Sequence, residues 1–180
     1  MATLILVTGA ARSGKSEWAE QLAAESGKSV IYIATSQENP DDAEWQARIE
    51  KHRSRRPEGW KTRSIPVDLK SAILDSTASE CLLIDSLGTW LANLLEQSEG
   101  EWQATREALL ASFEQTESLI IFVAEETGWG VVPAYPIGRL FRDRLGNLTR
   151  SIGAIADTTY LVTAGHVLNL SQLGVRLKQQ

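Results

Sequence analysis

The chain has 180 residues, enough for one domain with a substantial core, and carries 43% hydrophobic and 23% charged residues at a formal net charge of −5. That charge argues against general nucleic-acid binding, which needs clustered cations facing phosphates. A lone cysteine, Cys81, excludes an intrachain disulfide and a cysteine-rich metal site, and no apolar run approaches the roughly 20 residues that span a bilayer.

The first apolar run, Leu4–Val7, ends at Thr8-Gly9 and reads as a buried parallel strand. Lys15 to Glu25 follows with Trp18, Leu22 and Ala23 at near-helical spacing, and Gly27 is placed to cap it. Val30–Ile33 is a second strand. Asp41-Asp42 offers an N-cap for a polar helix through Arg55, stopped by Pro57. Ser64–Asp68 leads into a short segment around Leu69, Ala72 and Ile73. Cys81–Asp85 is a third buried strand, with Cys81 expected in the core, and Trp90–Leu95 and Trp102–Phe113 read as helices. Leu119–Val123 is a fourth strand and Tyr160–Val162 a fifth. Between them Ile137–Ala156 reads as a helix, despite glycines at 138, 146 and 153.

Strands alternating with helices predict an α/β fold, a mainly parallel sheet with helices on both faces. No linker, repeat or low-complexity tract divides the chain, so a single domain over 1–180 is expected. The short apolar run at Leu4–Val7 is no signal-peptide core, and a cytoplasmic location is the expectation.

The chemistry begins in the loop Gly9-Ala10-Ala11-Arg12-Ser13-Gly14-Lys15-Ser16, which matches G-x-x-x-x-G-K-[ST] at every fixed position. A strand precedes it and a helix follows, the context that a phosphate loop requires. Glycines let backbone N–H groups wrap phosphates, Lys15 brings a point charge to the β/γ-phosphates, and Ser16 offers a hydroxyl to Mg²⁺. Asp85, closing the apolar strand Leu82-Leu83-Ile84, has two readings. It is either a carboxylate on the metal side of this site or the ordinary end of a buried strand.

On a helix from Asp41, residues Glu44, Arg48, His52 and Arg55 share one face, opposite Trp45 and Ile49. Arg48, Arg53, Arg55 and Arg56 surround His52. Such cations favour a neutral imidazole, suited to attack on a phosphate, and would neutralise a triphosphate. A solvated polar helix face would produce the same spacing. His166, after Ala164-Gly165, lacks that company and reads as structural, and two histidines without cysteine partners argue against a zinc site.

The motifs together resemble the bifunctional adenosylcobinamide kinase / adenosylcobinamide-phosphate guanylyltransferase family of cobalamin biosynthesis. The likeness runs through Leu6–Ser16, Tyr32-Ile33-Ala34-Thr35-Ser36-Gln37, Arg48-Ile49-x-x-His52-Arg53 and Arg56-Pro57-x-x-Trp60-x-Thr62. It continues in Leu83-Ile84-Asp85-Ser86-Leu87 with Trp90 and Asn93, Gly128-x-Gly130-Val131-Val132-Pro133, and Phe141-Arg142-Asp143-x-x-Gly146. Three places differ from the family pattern: Glu125-Glu126-Thr127-Gly128 stands for Asn-Glu-Val-Gly, Ser64 for a glutamate, and Thr149-Arg150 for Asn-Gln.

The resemblance implies a RecA-like P-loop NTPase core, a homotrimer, and two reactions. A nucleoside triphosphate, ATP or GTP, phosphorylates adenosylcobinamide, and GMP from GTP then passes through a guanylylated histidine, here His52, to give adenosylcobinamide-GDP. It places nucleotide contacts at Gly9, Ala10, Ala11, Arg12, Ser13, Gly14, Lys15 and Ser16, at Ala34, Thr35 and Ser36, at Arg53, Ser54, Arg55 and Arg56, and at Ser64 and Asp85. Lys15 joins His52 as a catalytic residue, with Mg²⁺ at Ser16 and Asp85. A phosphate-loop kinase for another small hydroxylated substrate, or a nucleotide-dependent switch or assembly ATPase, are the competing readings, and only the first function needs a neutral imidazole at residue 52.

Overall fold

A computed structural model describes residues 1–37 and 56–177 of the chain. Its strands are β1 (Thr3–Gly9), β2 (Ser29–Ala34), β3 (Lys61–Ser64), β4 (Glu80–Asp85), β5 (Leu119–Glu125), β6 (Thr158–Thr163) and β7 (His166–Asn169). Its helices are α1 (Lys15–Glu25), α2 (Leu69–Leu74), α3 (Leu87–Ala92), α4 (Glu99–Ser112), α5 (Pro136–Ile155) and α6 (Leu170–Leu173). The helix expected from Asp41 through Arg55 lies outside the described residues.

All seven strands join one sheet in the order β3-β2-β4-β5-β1-β6-β7. Every pairing is parallel except the β6–β7 hairpin. Because successive strand side chains point to opposite faces, each strand feeds two cores. Leu4, Leu6, Ile31, Ile33, Ile84, Ile120 and Phe122 pack on one face, beneath Ile73 of α2, Trp90 of α3, Trp102 and Leu109 of α4, and Leu145, Leu148 and Ile152 of α5. Val7, Tyr32, Leu83, Ile121, Val123 and Val162 pack on the other, beneath Ala19 and Ala23 of α1. Cys81 belongs to that second core and is fully buried, as expected, and burial pushes its thiol up to about 11.

Two helices start earlier than the sequence expectation because side-chain hydrogen bonds cap them. Helix α3 starts at Leu87 rather than Trp90, because Ser86 and Thr89 form a reciprocal cap across its first turn. Ser98 and Glu101 cap α4 in the same way and start it at Glu99. Strand β3 was not expected: its residues Lys61–Ser64 are all exposed and polar, so it has no hydrophobic alternation. It forms because the edge of β2 offers a parallel backbone partner, with Tyr32 opposite Thr62. The β6–β7 turn, also unexpected, passes through Ala164 at φ 48° and Gly165 at φ 75°. Two successive positive φ values match the right-handed twist of a two-residue hairpin. His166 then opens β7, exposed, with its Nδ1 2.8 Å from the Ala164 carbonyl.

Phe122 sits on the central strand β5, fully buried, 5.5 Å from the Phe113 ring. Phe122→Ala should therefore cost about 3–5 kcal/mol, read as a lowered denaturant midpoint. A loss below about 1 kcal/mol would mean that the core does not close over β5 as described.

Candidate functional site

The expected phosphate loop rises from the C-terminal end of β1 and enters α1 at Lys15. Its first residue has no room for a side chain. A Cβ on Gly9 would run into the Val162 carbonyl oxygen of β6 and lie 2.6 Å from Ser13 Oγ. The loop turns back through two left-handed residues, Arg12 at φ 59° and Gly14 at φ 93°. Ser13 N–H donates to the Ala10 carbonyl at 3.2 Å, and Trp18 N–H to Gly14 at 3.0 Å as α1 begins. Lys15 is buried and curls over the loop, its Nζ donating to the Ala10 carbonyl at 3.2 Å. Ser13 Oγ is buried with no partner among the described residues. A concave loop of backbone N–H groups, a folded-over ammonium, an idle hydroxyl and the N-terminus of an 11-residue helix together form an anion cradle.

Strand register brings the remaining candidates to the same edge. Gly9 lies opposite Glu125, Asp85 opposite Val123, Ala34 opposite Asp85, and Ser64 opposite Ala34. Gly9, Ala34, Ser64 and Asp85 thus all stand at the carboxyl ends of parallel strands, where open α/β sheets bind their ligands. Thr35 and Ser36 follow directly from β2. The Thr35 side chain, however, is fully buried and occupied: its hydroxyl donates to the Ser86 carbonyl at 2.7 Å and accepts from Ser86 N–H at 2.9 Å. Any nucleotide contact at Thr35 would have to use its backbone. His52, Arg53, Ser54 and Arg55 lie outside the described residues. Arg56 is described, and its guanidinium lies 3.2 Å from the centroid of the Tyr32 ring, a cation–π stack.

Four residues to which the sequence reading gave no role build this edge. Tyr32 donates its hydroxyl to Asp85 Oδ2 at 3.1 Å while carrying Arg56 on its face. Burial first, and the Asp85 carboxylate second, hold its phenol above the ordinary tyrosine range, so it remains a protonated donor. Asn93 ties the strand ends together, its Nδ2 donating to the Thr35 carbonyl at 2.7 Å and to the Pro66 carbonyl at 2.9 Å. Glu125 reaches across to α3, accepting from the Ser86 hydroxyl and from Gly88 N–H at 2.9 Å. A Cβ on Gly88 would lie 2.7 Å from the Glu125 carboxyl carbon, so a larger residue there would displace the carboxylate from this position. Glu126 accepts from Thr8 Oγ1 at 2.8 Å, and its N–H donates to the Gly9 carbonyl at 2.9 Å. The signal for both glutamates was the one used for Asp85, a carboxylate closing a buried strand.

The donor set also bears on a metal. Among the described residues no group of three His, Cys, Asp or Glu side chains could hold an ion. Ser16 and Asp85 supply one hydroxyl and one carboxylate, too few for a protein-only cage. They suit Mg²⁺, which commonly keeps substrate phosphate and water oxygens beside one or two protein ligands.

Comparison with known proteins agrees with this geometry. A family model described as cobinamide kinase / cobinamide phosphate guanyltransferase matches residues 5–170. A bifunctional adenosylcobalamin biosynthesis protein, CobP, of Pseudomonas aeruginosa is 42% identical over 166 residues, covering 89% of this chain and 92% of that protein. The bifunctional adenosylcobalamin biosynthesis protein CobU of Escherichia coli is 36% identical over 190 residues, covering 97% and 99% respectively. Among solved structures, an ATPase of a type III secretion system superposes with a TM-score of 0.55 at 12% identity, over 95% of this chain and 53% of that one. A protein of Pyrococcus horikoshii superposes with a TM-score of 0.57 at 6% identity, over 98% of this chain and 91% of that one. These structural likenesses establish the P-loop ATPase fold.

Glu125 gives this edge its direct test. Glu125→Ala leaves the buried Gly88 N–H and the Ser86 hydroxyl without their carboxylate, which should lower stability by about 1–3 kcal/mol in denaturant unfolding. An unchanged midpoint would mean that α3 does not depend on this clamp.

Proposed function

The chain belongs to the cobinamide kinase / cobinamide phosphate guanyltransferase family, and from that premise we propose that it carries out both reactions at this strand-end site. In the first, a nucleoside triphosphate phosphorylates the aminopropanol hydroxyl of adenosylcobinamide. In the second, GMP from GTP is transferred through His52 to that phosphate, giving adenosylcobinamide-GDP. The observation that carries the proposal is the anion cradle at Gly9–Ser16 sharing one edge with Ala34, Ser64 and Asp85.

Backbone N–H groups of the loop would bind the β- and γ-phosphates, and Lys15 would meet the charge that develops as a phosphoryl group leaves. Mg²⁺, when bound, would neutralise phosphate charge. Ser16 would offer its hydroxyl, and Asp85, oriented by Tyr32, its carboxylate. Ala34–Ser36, Ser64 and Arg53–Arg56 are the proposed remaining contacts to the nucleotide. Arg56 already has its guanidinium fixed against Tyr32, which keeps a cation beside the strand ends.

Guanylyl transfer then proceeds by two displacements. A neutral His52 nitrogen attacks the α-phosphorus of GTP, the bond to the β-phosphate oxygen breaks, and pyrophosphate leaves. An oxygen of adenosylcobinamide phosphate next attacks the same phosphorus and breaks the P–N bond, freeing His52. We further propose a homotrimer acting in the cytoplasm. No helix among the described residues is long and apolar enough to cross a membrane. Trp129, Val131, Tyr135, Leu173 and Val175 expose apolar surface that subunit contacts would cover.

GTP labelled on the α-phosphate tests the proposal. Wild-type protein should retain label in a peptide containing His52, through a bond that is acid-labile and base-stable. His52→Ala should lose both label and guanylyl transfer, while phosphorylation of adenosylcobinamide persists and His166→Ala keeps both activities. Label mapped away from residue 52 would reject the mechanism, and wild-type protein that takes no label would leave a kinase alone.

A further inference from the structure

A cleft of about 300 Å³ opens beside the phosphate loop on the α5 face of the sheet. Thr8 and Glu126 line its strand side, and Arg142, Gly146, Thr149 and Arg150 of α5 line its helix side. Its position follows from topology. Strands β1 and β5 are neighbours, yet α1 leaves β1 onto one face while α5 leaves β5 onto the other. Helices diverging from adjacent parallel strands leave a crevice at their carboxyl ends, the usual place for a ligand in such sheets.

The cleft reaches Thr8, one residue before Gly9, and runs from there past Leu6 and Thr159. The nucleotide contacts proposed beyond the loop, at Ala34–Ser36, Ser64 and Asp85, lie toward β2, β3 and β4, on the opposite side of β5 from β6. A second substrate in the cleft would therefore meet the phosphate loop from the other side. The lining is also chemically unfinished. Thr149 Oγ1 is buried without a partner among the described residues, and Arg150 and Arg142, the latter paired with Asp143 at 3.4 Å, add cations to a wall that already holds two glutamates. Glu126 is pinned at the root of the loop by Thr8 and by the Gly9 carbonyl. At Gly146 the helix wall faces open space, for a Cβ there would meet no atom of the described residues within 4 Å.

Resting on the kinase reading above, we propose that this cleft receives the acceptor of phosphoryl transfer, a neutral hydroxyl-bearing amide arm, and that Glu126 takes the hydroxyl's proton. As the hydroxyl oxygen bonds to the γ-phosphorus, its proton passes to a Glu126 carboxylate oxygen. The bond from the γ-phosphorus to the β-phosphate oxygen breaks, and the nucleoside diphosphate leaves. Arg142 and Arg150 then face a product that has gained negative charge at the end of its arm.

Steady-state kinetics with adenosylcobinamide and GTP, beside a direct titration of GTP binding, test both parts. Gly146→Leu fills open space at an exposed helix position and replaces a poor helix former by a good one, so folding should be preserved. It should raise KM for adenosylcobinamide about tenfold or more. Glu126→Gln keeps an acceptor for Thr8 but is a far weaker base. It should lower kinase kcat about 100-fold. Neither variant should change GTP affinity by more than about twofold. Wild-type KM in Gly146→Leu, or wild-type kcat in Glu126→Gln, would overturn the inference and leave the functional reading standing. A parallel loss of GTP affinity in Glu126→Gln would overturn it too, since Glu126 would then serve only to brace the loop. Wild-type protein that fails to phosphorylate adenosylcobinamide would overturn the functional reading and this inference with it.

Discussion

The nucleotide site depends on the close approach of Gly9 to β6. Only a residue without a Cβ lets β1 end against the Val162 carbonyl while the chain turns back over its own strand. From that close approach follow the left-handed turn at Arg12 and Gly14, the burial of Lys15, and the entry of α1 onto one face of the sheet. The loop is held from the other side by Glu126, whose N–H donates to the Gly9 carbonyl and whose carboxylate accepts from Thr8. Neighbours β5 and β6 thus grip the root of the phosphate loop from opposite directions.

The sheet order then sets the spacing of the chemistry. Strand β5 lies between β1 and β4, so the loop and Asp85 stand two strand widths apart, about 10 Å. That gap accommodates phosphates and a metal rather than a direct lysine–carboxylate pair. Residues without a charge role of their own hold the edge rigid. Tyr32 orients Asp85, Thr35 ties β2 to the Ser86 backbone, and Glu125 clamps the first turn of α3. Polar groups in the half-buried rim are stabilising only when satisfied, and these are paired with one another across strand ends.

Much of this was legible in the sequence because the relevant signals are local. The phosphate loop is one contiguous motif flanked by a strand and a helix, and the interior strands are apolar runs bounded by polar residues. What escaped lacked a local signal. Strand β3 is wholly polar and exists only because β2 offers an open edge. The early start of α3 depends on the Ser86–Thr89 cap and on a glycine shaped to Glu125, which lies 37 residues from Gly88 in the chain. The Tyr32–Asp85 bond and the Arg56 stack join segments that no periodicity connects. Glu125 and Glu126 could have been found by applying to β5 the argument used for Asp85. Of the proposed transfer residues, Lys15 and Asp85 are placed by the fold, whereas His52 rests on its cationic neighbourhood and on family membership.

The grip around Gly9 creates the proposed triphosphate site. Calorimetric titration of Mg²⁺ and GTP into wild-type and Gly9→Ala protein measures this directly, with thermal unfolding recorded on the same samples. Wild-type protein should bind, and Gly9→Ala should unfold cooperatively yet lose about 100-fold or more in affinity, because the added methyl forces the loop away from β6 and disperses its N–H groups. A folded Gly9→Ala protein that binds GTP as tightly as wild type would contradict that role for Gly9.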